Sequence, residues 1–118
     1  MGGVDTALMW HVVLHVAGEP VPVPELRQAL ERLAHERPFL LTARYAEDRA
    51  EVRYWDEAER LEDAAAMALR LWGEHRSTAG LPTWRVVGLE VLDRETFRQR
   101  GNADPVGGLV EAGSVRPF

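Results

Sequence analysis

The 118 residues contain no cysteine, no lysine and no isoleucine. Without cysteine there is no disulfide, thiolate nucleophile, iron–sulfur cluster or thiolate zinc site. Without lysine no side-chain amine can form a Schiff base, and all fourteen basic residues are arginine. Serine is scarce as well. Ser77 and Ser114 both lack the strand-to-helix turn that a nucleophile elbow needs, so an acyl-transfer triad is not expected. Basic charge is in deficit, fourteen against nineteen acidic residues, for a net charge of −5. That balance opposes the phosphate-driven binding on which nucleic-acid recognition depends. No apolar run is long enough to span a bilayer, and residues 1–7 carry no basic leader, so no membrane association is expected and the cytoplasm is the expected compartment.

What is present is the composition of an ordinary globule, 46% hydrophobic and 28% charged. A chain of this size buries roughly 65% of its unfolded surface and needs no staples. The abundance of Ala, Arg, Gly, Val and Leu reads as high-GC bacterial codon usage. One domain over residues 1–100 is expected, followed by an irregular tail over 101–118 that has room for a short strand. Met1–Thr6 is read as a loose lead-in.

The first element is a strand over residues 8–17, with Trp10, Val12, Leu14 and Val16 on one face and Met9, His11, Val13 and His15 on the other. Pro24 opens a helix over about 24–36, where Leu26, Ala29, Leu30 and Leu33 form one apolar stripe, and Pro38 forbids its continuation. Residues 39–46 and 50–55 alternate as two strands joined at Glu47-Asp48. Phe39, Leu41, Ala43 and Tyr45 share one face of the first, opposite Leu40, Thr42 and Arg44. Asp56, with Glu59 three residues later, predicts the N-terminus of a helix over roughly 57–78. On that helix Leu61, Ala64, Ala65, Ala68 and Trp72 cluster, flanked by Leu69 and Leu71. His75 and Arg76 suit the dipole of its last turn, and Gly80 and Pro82 stop it. Residues 84–93 form a last strand, in which Val87, Leu89 and Val91 alternate with Val86, Gly88, Glu90 and Leu92. Asp93 then caps a short helix that ends at Gly101.

The order β-α-β-β-α-β gives an α+β, ferredoxin-like sandwich by right-handed crossovers, with an antiparallel sheet in the order 4-1-3-2 and two helices on one face. The chain resembles small uncharacterised ferredoxin-like proteins of high-GC bacteria. The likeness lies in Trp10-His11-Val12-Val13-Leu14-His15, in Val52-Arg53-Tyr54-Trp55 with Leu71-Trp72-Gly73-Glu74-His75-Arg76, and in Gly88-Leu89-Glu90-Val91-Leu92-Asp93. It spans most of residues 9–97 and implies no activity.

With the helices on one face, the other face is open. Beside Met9, His11, Val13 and His15 it is expected to carry Glu51, Arg53, Trp55, Trp84, Val86, Glu90 and Leu92, with Leu40, Thr42 and Arg44. The candidate ligand or interface residues are His11, His15, Glu51, Arg53, Trp55, Trp84 and Glu90. His11 and His15 stand about 13 Å apart along the strand and cannot share one ion, and one histidine with Glu51 or Glu90 gives too few ligands. No metal and no cofactor is therefore expected.

His11 paired with Glu51 or Glu90 has the makings of a general base, and Arg53 those of an anion holder. That would make the chain a small enzyme resembling, in topology, the dimeric α+β-barrel monooxygenases, with His11 or His15 lining the pocket. No signature of an RNA-recognition sheet is present, and Glu51 and Glu90 would repel phosphate, so nucleic acid is not an expected partner. An apolar open face predicts a cover. The leading expectation is a small cytoplasmic binding or protein-interaction module pairing through that face, as a homodimer or with another protein; a small-molecule ligand remains compatible. Alternatively the tail folds over the sheet in a monomer, burying Leu109, Val110 and Phe118.

Overall fold

The computed structural model describes residues 8–36, 41–100 and 114–118. Its elements are β1 (Leu8–Ala17), α1 (Val23–Glu36), β2 (Thr42–Ala46), β3 (Arg49–Ala58), α2 (Leu61–Ala79), β4 (Arg85–Asp93), α3 (Arg94–Gln99) and β5 (Val115–Pro117). The sheet runs β4-β1-β3-β2-β5, which is the expected ferredoxin-like 4-1-3-2 order extended by one strand. β1 pairs antiparallel with β3 from Leu8 to Ala17 and with β4 from Trp10 to Ala17. The added β5 lies parallel to β2, with Val115 opposite Ala43 and Arg116 opposite Arg44.

The main core lies between the sheet and α1 and α2. Val12, Leu14 and Val16 of β1, Val52 and Tyr54 of β3, and Leu41, Ala43 and Tyr45 meet the α1 stripe of Leu26, Ala29, Leu30 and Leu33. Full burial of such side chains contributes about 1.5–3 kcal/mol each. α2 approaches through small residues, Ala64 and Ala68, and fills the volume near its middle with Leu71 and Trp72. The two helices are also tied by polar contacts. Arg32 Nε donates to the Ala79 carbonyl at 2.7 Å, and Glu36 takes the Thr78 hydroxyl at 2.6 Å and faces His75 Nδ1 at 2.7 Å. Gly80, at φ 76°, ends α2 in the left-handed conformation that glycine adopts without strain, with its N–H on the Arg76 carbonyl.

One irregularity redirects β4. Opposite His15 and Val16 its register skips Val87, so Gly88 faces His15 and Val86 faces Val16. A bulge of this kind moves every preceding side chain to the other face. Val86 therefore packs against the core, while Val87, expected inside, is 55% exposed. Trp84, expected on the open face, is buried in the main core instead. Its ring stacks on Trp72 at 6.1 Å with an interplanar angle of 1°, and its Nε1 donates to the Glu19 carbonyl at 2.8 Å.

Other expectations shift for similar tertiary reasons. Asp56 does not cap a helix: β3 continues past it to Ala58 because β1 offers a partner at every residue, Trp10 opposite Asp56 and Leu8 opposite Ala58. α2 consequently starts at Leu61, with Leu61 and Leu69 exposed rather than buried. Phe118 is 46% exposed, over the arginine side of the β2–β5 edge, rather than buried by a folded-back tail. Met1–Thr6, Pro38 to Leu40, Gly101, Leu109 and Val110 lie outside the described residues. Among those described, no helix is long and apolar enough to cross a membrane.

The stacked tryptophans depend on a close approach of backbone at Gly18, where any Cβ would collide with the Trp84 ring. Gly18→Ala is expected to displace Trp84 from Trp72 and to destabilise the chain by about 2 kcal/mol, as overpacking does. Urea denaturation measures the loss, and weakening of the indole exciton couplet in circular dichroism reports the separation of the rings.

Candidate functional site

Cross-strand partners share a face, so the β-pairing fixes what lies on the side of the sheet away from α1 and α2. Met9 and Glu57 stand at one end of it, and three rows follow. Leu92, His11 and Trp55 form the first; Glu90, Val13, Arg53 and Thr42 the second; and Gly88, His15, Glu51, Arg44 and Arg116 the third. Beyond them Ala17 stands between Arg85 and Arg49. Six of the seven sequence-predicted candidates are here: His11, His15, Glu51, Arg53, Trp55 and Glu90. The seventh, Trp84, is on the opposite side, carried there by the bulge.

α3 closes the first row. Asp93 caps it as expected, accepting from the Thr96 N–H at 2.7 Å. Its one buried residue, Phe97, lies on the His11 ring at 4.3 Å and on Trp55 at 5.0 Å, and those two rings meet edge-on at 5.1 Å. Aromatic pairs in such tilted and edge-on arrangements add about 0.5–1.5 kcal/mol each beyond area burial. His11 is left 7% exposed, and its Nδ1 has no hydrogen-bond partner. Burial lowers its pKa from 6.5 to about 4, aided by the Arg53 charge and opposed by Glu90. His11 is therefore a neutral core imidazole at neutral pH. The expected dyad does not form, because Glu51 stands opposite His15 and Glu90 opposite Val13.

Among the described residues no further element covers the rest of the face, which is charged. Glu51 is buried to 9% exposure, an unusual place for a carboxylate. Burial alone would raise its pKa, but the Arg53 hydrogen bond and charge, with His15 and Arg44 beyond, hold it below the usual carboxylate range. Arg53 Nε donates to Oε1 at 2.9 Å, and His15 Nδ1 stands 3.9 Å from Oε2. Around this buried anion Arg44, Arg49, Arg53, Arg85 and Arg116 are all exposed. Glu90 is bound by Arg100 at 3.0 Å and Asp48 by Arg49 at 3.3 Å. Each of these three carboxylates thus has an arginine already, and cationic charge is left over. Among the described residues no three His, Asp or Glu side chains come together as a metal site.

Sequence reasoning named Arg53 and Arg44 but missed Phe97, Arg49, Arg85 and Arg116. Arg49 has the parity of Arg53 and was within reach of the strand pattern. Arg85 was hidden by the bulge, and Arg116 by a strand too short to read.

Residues 9–106 match the family described as a domain of unknown function, DUF8830, and the chain belongs to that family. No curated protein matches it. Among solved structures it is similar to an acylphosphatase from Coxiella burnetii, at 15% identity and a TM-score of 0.39, over 96% of this chain and 94% of that one.

The His11 environment has a pH signature. The unfolded chain takes up a proton near pH 6.5 and the folded chain only near 4, so between these values the unfolded state holds more protons. Stability is expected to fall as pH drops through that window, by about 3 kcal/mol over its full width. His11→Leu should flatten that part of the profile, which urea denaturation across the window measures; an unchanged slope would mean that the imidazole is charged in place.

Proposed function

We propose that this DUF8830 chain is a protein-interaction module without chemistry of its own, binding through the uncovered half of its open sheet face. The observation that supports this is the division of that face. Phe97 seals the half that holds His11 and Trp55, and the other half keeps exposed arginines, of which Arg44, Arg85 and Arg116 form no ion pair with a carboxylate among the described residues. A general base must reach its substrate's proton, and a buried His11 beneath Phe97 does not. The enzyme reading therefore loses His11 and keeps only His15, whose Nδ1 stands 3.9 Å from Glu51.

The division also bears on the partner. Pairing two copies face to face was an expectation drawn from apolar content, and that content is now accounted for: Trp84 and Val86 belong to the core, and Trp55 lies under Phe97. A two-fold stacking of this half would set arginines against arginines, which is unfavourable. The surface suits a different protein better than a second copy. A cytoplasmic setting fits this reading.

Sedimentation should accordingly show a monomer at low and at high salt. Arg44→Gln should leave the mass unchanged and shift stability by less than about 1 kcal/mol, because relief of like-charge repulsion with Arg116 offsets the loss of the cation opposite Glu51. A dimer that Arg44→Gln dissociates would overturn this reading in favour of self-pairing.

A further inference from the structure

Arg44 and Arg116 are directly opposed on adjacent strands. Like charges in that position oppose folding, and proteins normally avoid them. Arg44 stands across from the buried Glu51 and feels its charge, but among the described residues neither arginine forms an ion pair with a carboxylate. Arg44 lies over the Phe118 ring at 5.2 Å, and Arg116 Nε donates to the Ser114 hydroxyl at 3.1 Å. Arg85, across β1, also has no carboxylate partner among the described residues. Arg53 has one of its nitrogens on Glu51, which anchors it and leaves the remainder of its fork at a surface where the side chain is 45% exposed. The result is a set of exposed arginines on one sheet face, of which Arg44 and Arg116 stand on adjacent strands about 5 Å apart, on a protein whose net charge is −5.

We infer that this surface binds an extended acidic segment of another protein, whose carboxylates seat on Arg44 and Arg116 with Arg53 and Arg85 as flanking contacts. The inference rests on the interaction-module reading and names the partner's chemistry. Guanidinium forks match carboxylates in two-point geometry. A single-stranded nucleic acid offers the same negative charge but also needs aromatic faces on which its bases stack. Here the aromatic faces are occupied: Trp55 packs against Phe97 and His11, and Phe118 has the guanidinium groups of Arg44 and Arg49 over its ring, each at 5.2 Å. The charge is present without a platform for bases, and that combination favours carboxylates.

The test uses the full chain and a fluorescent peptide of alternating glutamate and serine. A glutamine-for-glutamate peptide and a single-stranded RNA of equal charge serve as comparisons. The glutamate peptide should bind at low ionic strength and weaken as salt is added. Affinity should fall about tenfold in the Arg44→Gln/Arg116→Gln double variant, the equivalent of one well-placed charge pair. Arg27→Gln/Arg70→Gln, which removes two arginines already paired within α1 and α2, should change nothing, and circular dichroism should show all variants folded. Tighter binding of the RNA, equal binding of the glutamine peptide, or an unaffected double variant would overturn the inference. If no peptide binds while the chain sediments as a monomer, the acidic partner is wrong and the module reading stands. A salt-sensitive dimer would remove both.

Discussion

A single skipped residue, Val87, decides what each side of this sheet does. β4 is paired with β1 on both sides of the bulge, but the bulge shifts the register by one residue and reverses the parity of everything before Gly88. Trp84 and Val86 turn into the core as a result. Arg85 turns outward, to a place across Ala17 from Arg49. Had β4 stayed regular, an indole would lie on the open face and a guanidinium would be driven under α2, where burying an unpaired charge costs several kcal/mol. The bulge therefore gives the core its tryptophan stack and the open face its fifth arginine. Gly88 fits the same site: a Cβ there would press on the His15 ring at 3.1 Å, so the skipped register is held where the backbone comes close.

The sequence was legible where periodicity and local chemistry agree. The alternation of Trp10, Val12, Leu14 and Val16, the α1 stripe, the Leu41–Tyr45 row and the Asp93 cap are all read directly from residue spacing. Element order then gives the sandwich, because few topologies satisfy right-handed crossovers. It was misleading where a tertiary partner overrode a local preference. Asp56 and Glu59 make a good helix start in isolation, but ten consecutive β1 positions offer β3 a ladder, and the strand runs on. A bulge has no signature in composition. The pairing of Val115–Pro117 with β2 is a contact between distant segments that three residues cannot announce.

The candidate site was partly legible for the same reason. Strand parity was enough to place His11, His15, Glu51, Arg53, Trp55 and Glu90 on one face. It could not say that α3, read correctly as a short helix, would lay Phe97 over two of them. That contact changes the meaning of His11 from an exposed base to a core residue with an unsatisfied Nδ1. An unpartnered nitrogen in an aromatic cluster opposes folding, and neutrality keeps that cost small; protonation would make it large. The sealed half is thus built to stay apolar.

The uncovered half follows the opposite rule. Glu51 is the only buried carboxylate among the described residues. Its position explains how several arginines can coexist on one small sheet: the anion beneath Arg53 and His15 offsets part of their mutual repulsion from within the layer. Asp48 takes Arg49, and one buried negative charge does not balance the other four arginines. The remainder is oriented outward on strands rather than on loops, so little ordering is required when an anionic group arrives. On the proposed reading, a surface that costs the folded chain electrostatic energy and is held in rigid geometry is accounted for by the acidic segment it binds rather than by what it contributes to the fold.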